Sequence, residues 1–166
     1  MPKAIDKIPE KMRWEIATKG LTGAYTAIAV ALKDAVGENK YNEFNGPLWY
    51  QAGKGVKELA ETLRLNTKTA DDIAIVFELA TVVSMGPEFN WEIVESSEDK
   101  CVMRNAKCPW HERFKELNLS FDYCGSGHQK WCQGACDSLN PNFTATLSKS
   151  MVRGDAYCET IIERKY

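Results

Sequence analysis

The spacing of apolar residues switches from helical to alternating at Pro87, and this switch limits the folds open to the chain. Before it, Trp14, Ala17, Leu21, Ala24, Ile28, Leu32 and Ala35 recur at steps of three and four. That spacing predicts one long amphipathic helix over 11–36, with this stripe facing a core and Gly37 as its stop. A second helix is expected over 41–65, its later half marked by Val56, Leu59, Ala60 and Leu63. Gly46, Pro47, Gly53 and Gly55 weaken it and mark where it kinks or splits. Ile73, Val76, Phe77, Ala80 and Val83 define a third helix, closed by Gly86-Pro87.

After Pro87 the period is two. Phe89, Trp91 and Ile93 alternate with Asn90 and Glu92, which predicts a half-buried strand that turns at 96–99 and returns antiparallel over 100–105. Pro109 suits the first position of a short helix ending near Asn118, with Cys108 at or beside its cap. Another helix is expected from Ser126 to just before Asn140-Pro141. Phe143, Ala145 and Leu147 alternate with Thr144, Thr146 and Ser148, and Arg153-Gly154-Asp155 turns into a last strand over 157–164. The order helices, hairpin, helices, hairpin predicts an α+β fold, an antiparallel sheet of about four strands packed against several helices. A boundary at Pro87 would isolate too little sheet to stand alone. One domain over 1–166 is therefore expected, with a helical part at about 9–86 and an α+β part at about 87–166.

With 44% hydrophobic and 27% charged residues the chain has the composition of a folded protein. A net charge of −2 gives no basic field for nucleic acid or an anionic membrane, which leaves a small molecule or another protein as the expected partner and a homo-oligomer as the open assembly. The apolar run 24–32 falls short of the roughly 20 residues that cross a bilayer. Charges scattered through the first fifteen residues leave no apolar signal core, so a cytoplasmic location is expected.

All six cysteines (Cys101, Cys108, Cys124, Cys132, Cys136 and Cys158) and both histidines (His111 and His128) lie after residue 100. In a reducing compartment such cysteines are thiols, ligands or nucleophiles before they are disulfides. His128, Cys132 and Cys136 are spaced by four and would form one stripe of a helix, where adjacent members could share a divalent metal such as zinc. Plain burial of the two cysteines is the competing reading, since free cysteine is among the most buried residue types. Cys108 is the candidate reactive thiol, because a helix start lowers a thiol pKa. His111, in the same first turn, would be held neutral as a base. Gly125, Ser126 and Gly127 leave backbone N–H groups at a helix start, a seat for a carboxylate, and Arg153 is a second candidate for that seat.

Cys108-Pro109, the helix with Cys132 and Cys136-Asp137, the run Asn140-Pro141-Asn142-Phe143 and the closing Arg153-Gly154-Asp155-Ala156-Tyr157-Cys158 resemble the C-terminal pattern of the L-2-amino-thiazoline-4-carboxylic acid hydrolase family. The closing motif is also similar to the end of vinyl-reductase-type ligand-binding domains, in which helices pack on an antiparallel sheet. The first resemblance implies water addition to a cyclic amidine and opening of the ring C–S bond, with Cys108 attacking directly or Cys132 and Cys136 holding a metal that activates water, His111 as the base, and the carboxylate held by Arg153 or 125–127. The second implies a non-enzymatic module that encloses a small ligand or a metal.

Overall fold

The computed structural model describes residues 4–119 and 124–166. After a short 3-10 turn at Ala4–Lys7 come helices α1 (Glu10–Val36), α2 (Glu38–Lys54), α3 (Val56–Thr62) and α4 (Ala70–Met85). A hairpin of β1 (Glu92–Ser96) and β2 (Lys100–Asn105) follows, then α5 (Pro109–Glu116), α6 (Gly125–Leu139), β3 (Phe143–Lys149) and β4 (Cys158–Arg164). The strands form one antiparallel sheet in the order β1-β2-β4-β3. The expected α+β class and element order are both found.

Cys101 and Met103 of β2, Ile162 of β4, and Phe143 and Ala145 of β3 turn one sheet face inward against Ile73, Val76 and Phe77 of α4 and Cys132, Ala135 and Cys136 of α6. A second, smaller core holds Ala29, Tyr41, Trp110 and Phe114, from α1, α2 and α5. Helix α6 also closes the sheet edge. The Gln129 side-chain amide donates to the Ala145 carbonyl at 2.8 Å and its oxygen accepts from the Leu147 N–H at 2.7 Å, replacing a missing neighbour strand beside β3.

The glycines of α2 are a seam as well as a weakness. The chain does split at Gly55, between α2 and α3, while Pro47 stays within α2. A Cβ on Gly53 would lie 2.1 Å from the Trp131 carbonyl oxygen, and one on Gly134 would lie 2.1 Å from that of Tyr50. Each glycine thus lets the backbone of the facing helix approach closer than any side chain would allow. Gly127 continues this seam, since a Cβ there would meet the Trp49 ring at 2.6 Å.

Two expectations are corrected. In α1 the buried residues are Thr18, Thr22, Thr26 and Ala29, while Leu21 and Ile28 of the apolar stripe are exposed. Each threonine hydroxyl donates to the carbonyl four residues earlier (Trp14, Thr18 and Thr22), which satisfies the oxygen within the helix and leaves a short, mostly apolar surface. The room is needed, because a Cβ on Gly86 would come within 2.5 Å of Thr18 Oγ1. The first strand is β1 over Glu92–Ser96, and all five of its residues are exposed. Phe89 and Trp91 are buried as expected but lie before the ladder, which opens with Glu92 opposite Arg104. Trp91 is held by its indole N–H, which donates to Thr81 Oγ1 at 2.8 Å.

Among the described residues, no helix is long and apolar enough to cross a membrane.

Candidate functional site

A cavity opens where the first turns of α5 and α6 meet the end of α4 and the loop before β1. Its larger lobe, about 90 Å³, is walled by Trp49, Trp91, Trp110 and Trp131, with Phe89 and Met85 beside them. A smaller lobe of about 30 Å³ reaches Asn105 at the end of β2, Cys158 at the start of β4, and His111. Cys108, Cys124 and His128 border both lobes. Among the described residues, neither lobe is lined by Asp, Glu, Lys or Arg.

Local sequence sets these positions. Pro109 starts α5 and makes Cys108 its N-cap, and Cys124 is the N-cap of α6, so two helix N-termini begin at the cavity wall. The carbonyl of Cys124 accepts from the His128 N–H at 2.6 Å, closing the first turn of α6 over Gly125, Ser126 and Gly127. Trp110 is fixed by its neighbours. It lies edge-on to Tyr25, with ring centroids 4.4 Å apart, and 5.1 Å from Trp49, whose own N–H donates to the Tyr25 hydroxyl.

The electrostatics of the cavity are those of neutral groups. Burial pushes the Cys108 thiol up to about 11, against the Trp110 and His111 N–H groups of α5, which pull it down. The helix start therefore acts in the expected direction, but desolvation outweighs it, and Cys108 rests as a thiol and not as the expected thiolate. Burial likewise raises Cys158. Burial lowers His111 and takes His128 down to about 4, so both imidazoles are neutral at pH 7.

The sequence-predicted residues divide between places. Cys108, His111 and His128 meet at the cavity, joined by Cys124 and Cys158, while Cys132 and Cys136 do not. Those two are fully buried in the core between α6 and the sheet, where desolvation raises both thiols, Cys136 to about 12. No group of three or more His, Cys, Asp or Glu side chains among the described residues is placed to hold a metal. Among the described residues, the His128, Cys132 and Cys136 stripe is part of no such group. Arg153 is exposed at the end of a 3-10 turn and does not line the cavity, although its neighbours Met151 and Val152 do. The aromatic wall and Asn105 were not anticipated, and the signal for the wall was available as Trp110 two residues after Cys108 and Trp131 three after His128.

A wider groove of about 270 Å³ lies between α1, α5 and the Gly86-Pro87 turn, but it is an open surface of balanced charge, with Lys19 and Arg113 against Glu15 and Glu88.

A family model described as L-2-amino-thiazoline-4-carboxylic acid hydrolase matches residues 19–162, nearly the whole chain. The chain belongs to this family. No protein with a curated description matches it. Among solved structures, it is similar to a trafficking protein particle complex subunit 3 from Naegleria fowleri, covalently bound to palmitic acid, at 15% identity and a TM-score of 0.64. That match covers 92% of this chain and 97% of the other. It is also similar to the phenol-responsive sensory domain of the transcription activator PoxR, solved with phenol, at 12% identity and a TM-score of 0.64, over 86% of this chain and 74% of that one. Likeness at these identities carries the fold, so this family member has the same arrangement of helices on an antiparallel sheet as those two proteins.

Proposed function

We propose that this family member binds an uncharged, single-ring small molecule in the tryptophan-walled cavity. The observation that carries the reading is the lining itself: four indoles, neutral thiols and imidazoles, and no charged side chain among the described residues. A cavity of about 150 Å³ accepts benzene, and the lobes of about 90 and 30 Å³ together come close to that, which is at most the room for one ring and too small for a long acyl chain. The phenol in the PoxR domain is of that size and supports the same reading.

Ring-opening hydrolysis is the second reading, favoured by the family and by the two helix N-termini at the cavity. In it, backbone N–H groups of 125–127 seat the substrate carboxylate, Cys108 adds to the ring carbon as His111 takes the thiol proton, the ring C–S bond breaks with that proton passing to the departing sulfur, and water then cleaves the Cys108 adduct to free the carbamoyl product and restore the thiol. A thiol held near 11 beside an imidazole lowered by burial makes that proton transfer uphill, which is why binding is preferred.

Two measurements separate the readings. Tryptophan fluorescence should report phenol binding at least about tenfold tighter than benzoate, since a carboxylate enters without a cation to meet it. Incubation with L-2-amino-thiazoline-4-carboxylate should release no thiol above the Cys108→Ala background. Benzoate binding as tightly as phenol, together with thiol release that Cys108→Ala abolishes, would replace the binding reading with the hydrolase.

A further inference from the structure

The face of α1 that turns away from the core is apolar. No charged residue occurs over 20–32, and Ala17, Leu21, Ala24, Ile28 and Ala31 are all exposed. Phe44 and Leu48 of α2 are exposed as well, so that Leu21, Ile28, Phe44 and Leu48 stand between 58% and 64% in solvent. These residues belong to one surface. Helices α1 and α2 run antiparallel, the Tyr25 hydroxyl donating to Asn45 Oδ1 at 2.8 Å and Ala29 sharing a core cluster with Tyr41. Their core sides carry Thr18, Thr22 and Thr26 on α1 and Gly46 and Gly53 on α2. At about 3.6 residues per turn, both exposed stripes fall on the other side of the α1/α2 contact from those residues.

Scattered apolar side chains in solvent are ordinary, whereas a contiguous apolar face marks a binding surface. This one spans roughly 25 Å along α1 and about 20 Å across two helices, about 500 Å² in outline, and with its rim it approaches the roughly 800 Å² per partner that stable dimers bury.

The surface matches its own reversed copy. Along α1 the stripe alternates small and large, as Ala17, Leu21, Ala24, Ile28 and Ala31, at the steps of four and three found in a coiled-coil seam. If a second α1 runs antiparallel with its Ala24 against Leu21, its Ala17 lies against Ile28, and each layer sets a large side chain on a small one. The same register brings Arg13 beside Asp34 of the second copy, and Asp34 beside its Arg13. A parallel pair would instead stack Leu21 on Leu21 and Ala24 on Ala24, and would leave those charges apart. The midpoint of the antiparallel register lies between Thr22 and Gly23. Counting three residues on from Asn45 in α2 and three back from Tyr25 in α1 puts Leu48 level with Thr22, so Leu48 meets its own copy at the two-fold axis.

We infer that this face joins two copies of the chain, in a two-fold dimer of α1/α2 pairs with the α1 helices antiparallel. The inference does not depend on the cavity or on what it binds.

The test is sedimentation velocity on the whole protein over a range of concentrations, where the wild type should be a dimer at micromolar protein. Leu21→Glu and Ile28→Glu should each weaken the dimer at least about a hundredfold, since two carboxylates then enter the apolar seam, and should leave the circular dichroism unchanged. Val94→Glu, on the exposed strand β1, should leave the dimer intact. Asp34→Arg should weaken it about tenfold, and Arg13→Asp added to that variant should restore it. Leu48→Cys should cross-link to its own copy under mild oxidation. A monomeric wild type would overturn the inference, as would a dimer that survives Leu21→Glu and Ile28→Glu or is lost in Val94→Glu. Failure of the charge swap to restore the dimer, or of Leu48→Cys to cross-link, would overturn the antiparallel two-fold. Should a glutamate variant fail to fold, the charge swap and the cross-link decide the matter in its place.

Discussion

The two halves of α6 carry the same residue types to opposite ends. At its start, Cys124 and His128 border a cavity, while one and two turns later Cys132 and Cys136 are sealed in the core against the sheet. A spacing of four places side chains on one helix face but also advances them about 6 Å each time along the axis. Here that advance runs from a ligand-sized space into close-packed interior. A shared face is not a shared environment, and for this reason a stripe that reads as a chelate is in fact one pocket residue followed by two core residues.

The contrast can be broken most severely at the seam that holds α6 in place. Gly134→Ala puts a methyl group 2.1 Å from the Tyr50 carbonyl oxygen, with backbone on both sides and no flexible side chain to give way. Urea unfolding should show a loss of about 3 kcal/mol, and a loss below about 0.5 would mean that α2 and α6 are not so closely packed.

A smaller effect comes from the cavity end. The His128 imidazole is held near 4, against about 6.5 in an unfolded chain. Between those values the unfolded state carries the extra proton, so stability is complete above pH 6.5 and is lost as pH falls toward 4. From pH 7 to pH 5 this should amount to up to about 2 kcal/mol, less where water reaches the ring. His128→Gln should flatten that part of the profile, separating it from His111, which is also lowered. An unchanged slope in His128→Gln would contradict the burial of this ring.

The two sets of thiols provide the finest comparison. Cys132→Ser buries a hydroxyl in the core and should cost about 1 to 2 kcal/mol, whereas Cys108→Ser, at the half-buried cavity wall, should cost less than about 0.5. Equal losses in denaturant titrations would erase the distinction between core and wall.

The fold was legible because it rests on periodicity and on turn residues. The close of the third helix at Gly86-Pro87, the Pro109 start of α5 and the stop before Asn140-Pro141 each depend on local sequence, and each is found within a residue or two. The misread face of α1 has a tertiary cause. Threonine counts as polar in any periodicity, yet Thr18, Thr22 and Thr26 bond to their own helix and bury what remains, while Leu21 and Ile28 of the apolar stripe are left outside. The site was legible in part. Cys108, His111 and His128 were found by residue type, but Asn105 and the tryptophan wall depend on which side chains the packing of α2, α4 and α6 brings together. No spacing along the chain encodes that.

The cavity is the proposed binding site, and its tryptophans test that assignment directly. Trp49, Trp91, Trp110 and Trp131 line the larger lobe, while Trp14 lies outside it, its indole N–H donating to the Val83 carbonyl. Phenol titrated into 15N-labelled protein should move the indole N–H resonances of the four lining tryptophans, Trp110 above all, and leave that of Trp14 in place. A spectrum in which Trp14 moves while Trp110 and Trp91 stay fixed, or in which no indole responds, would contradict it.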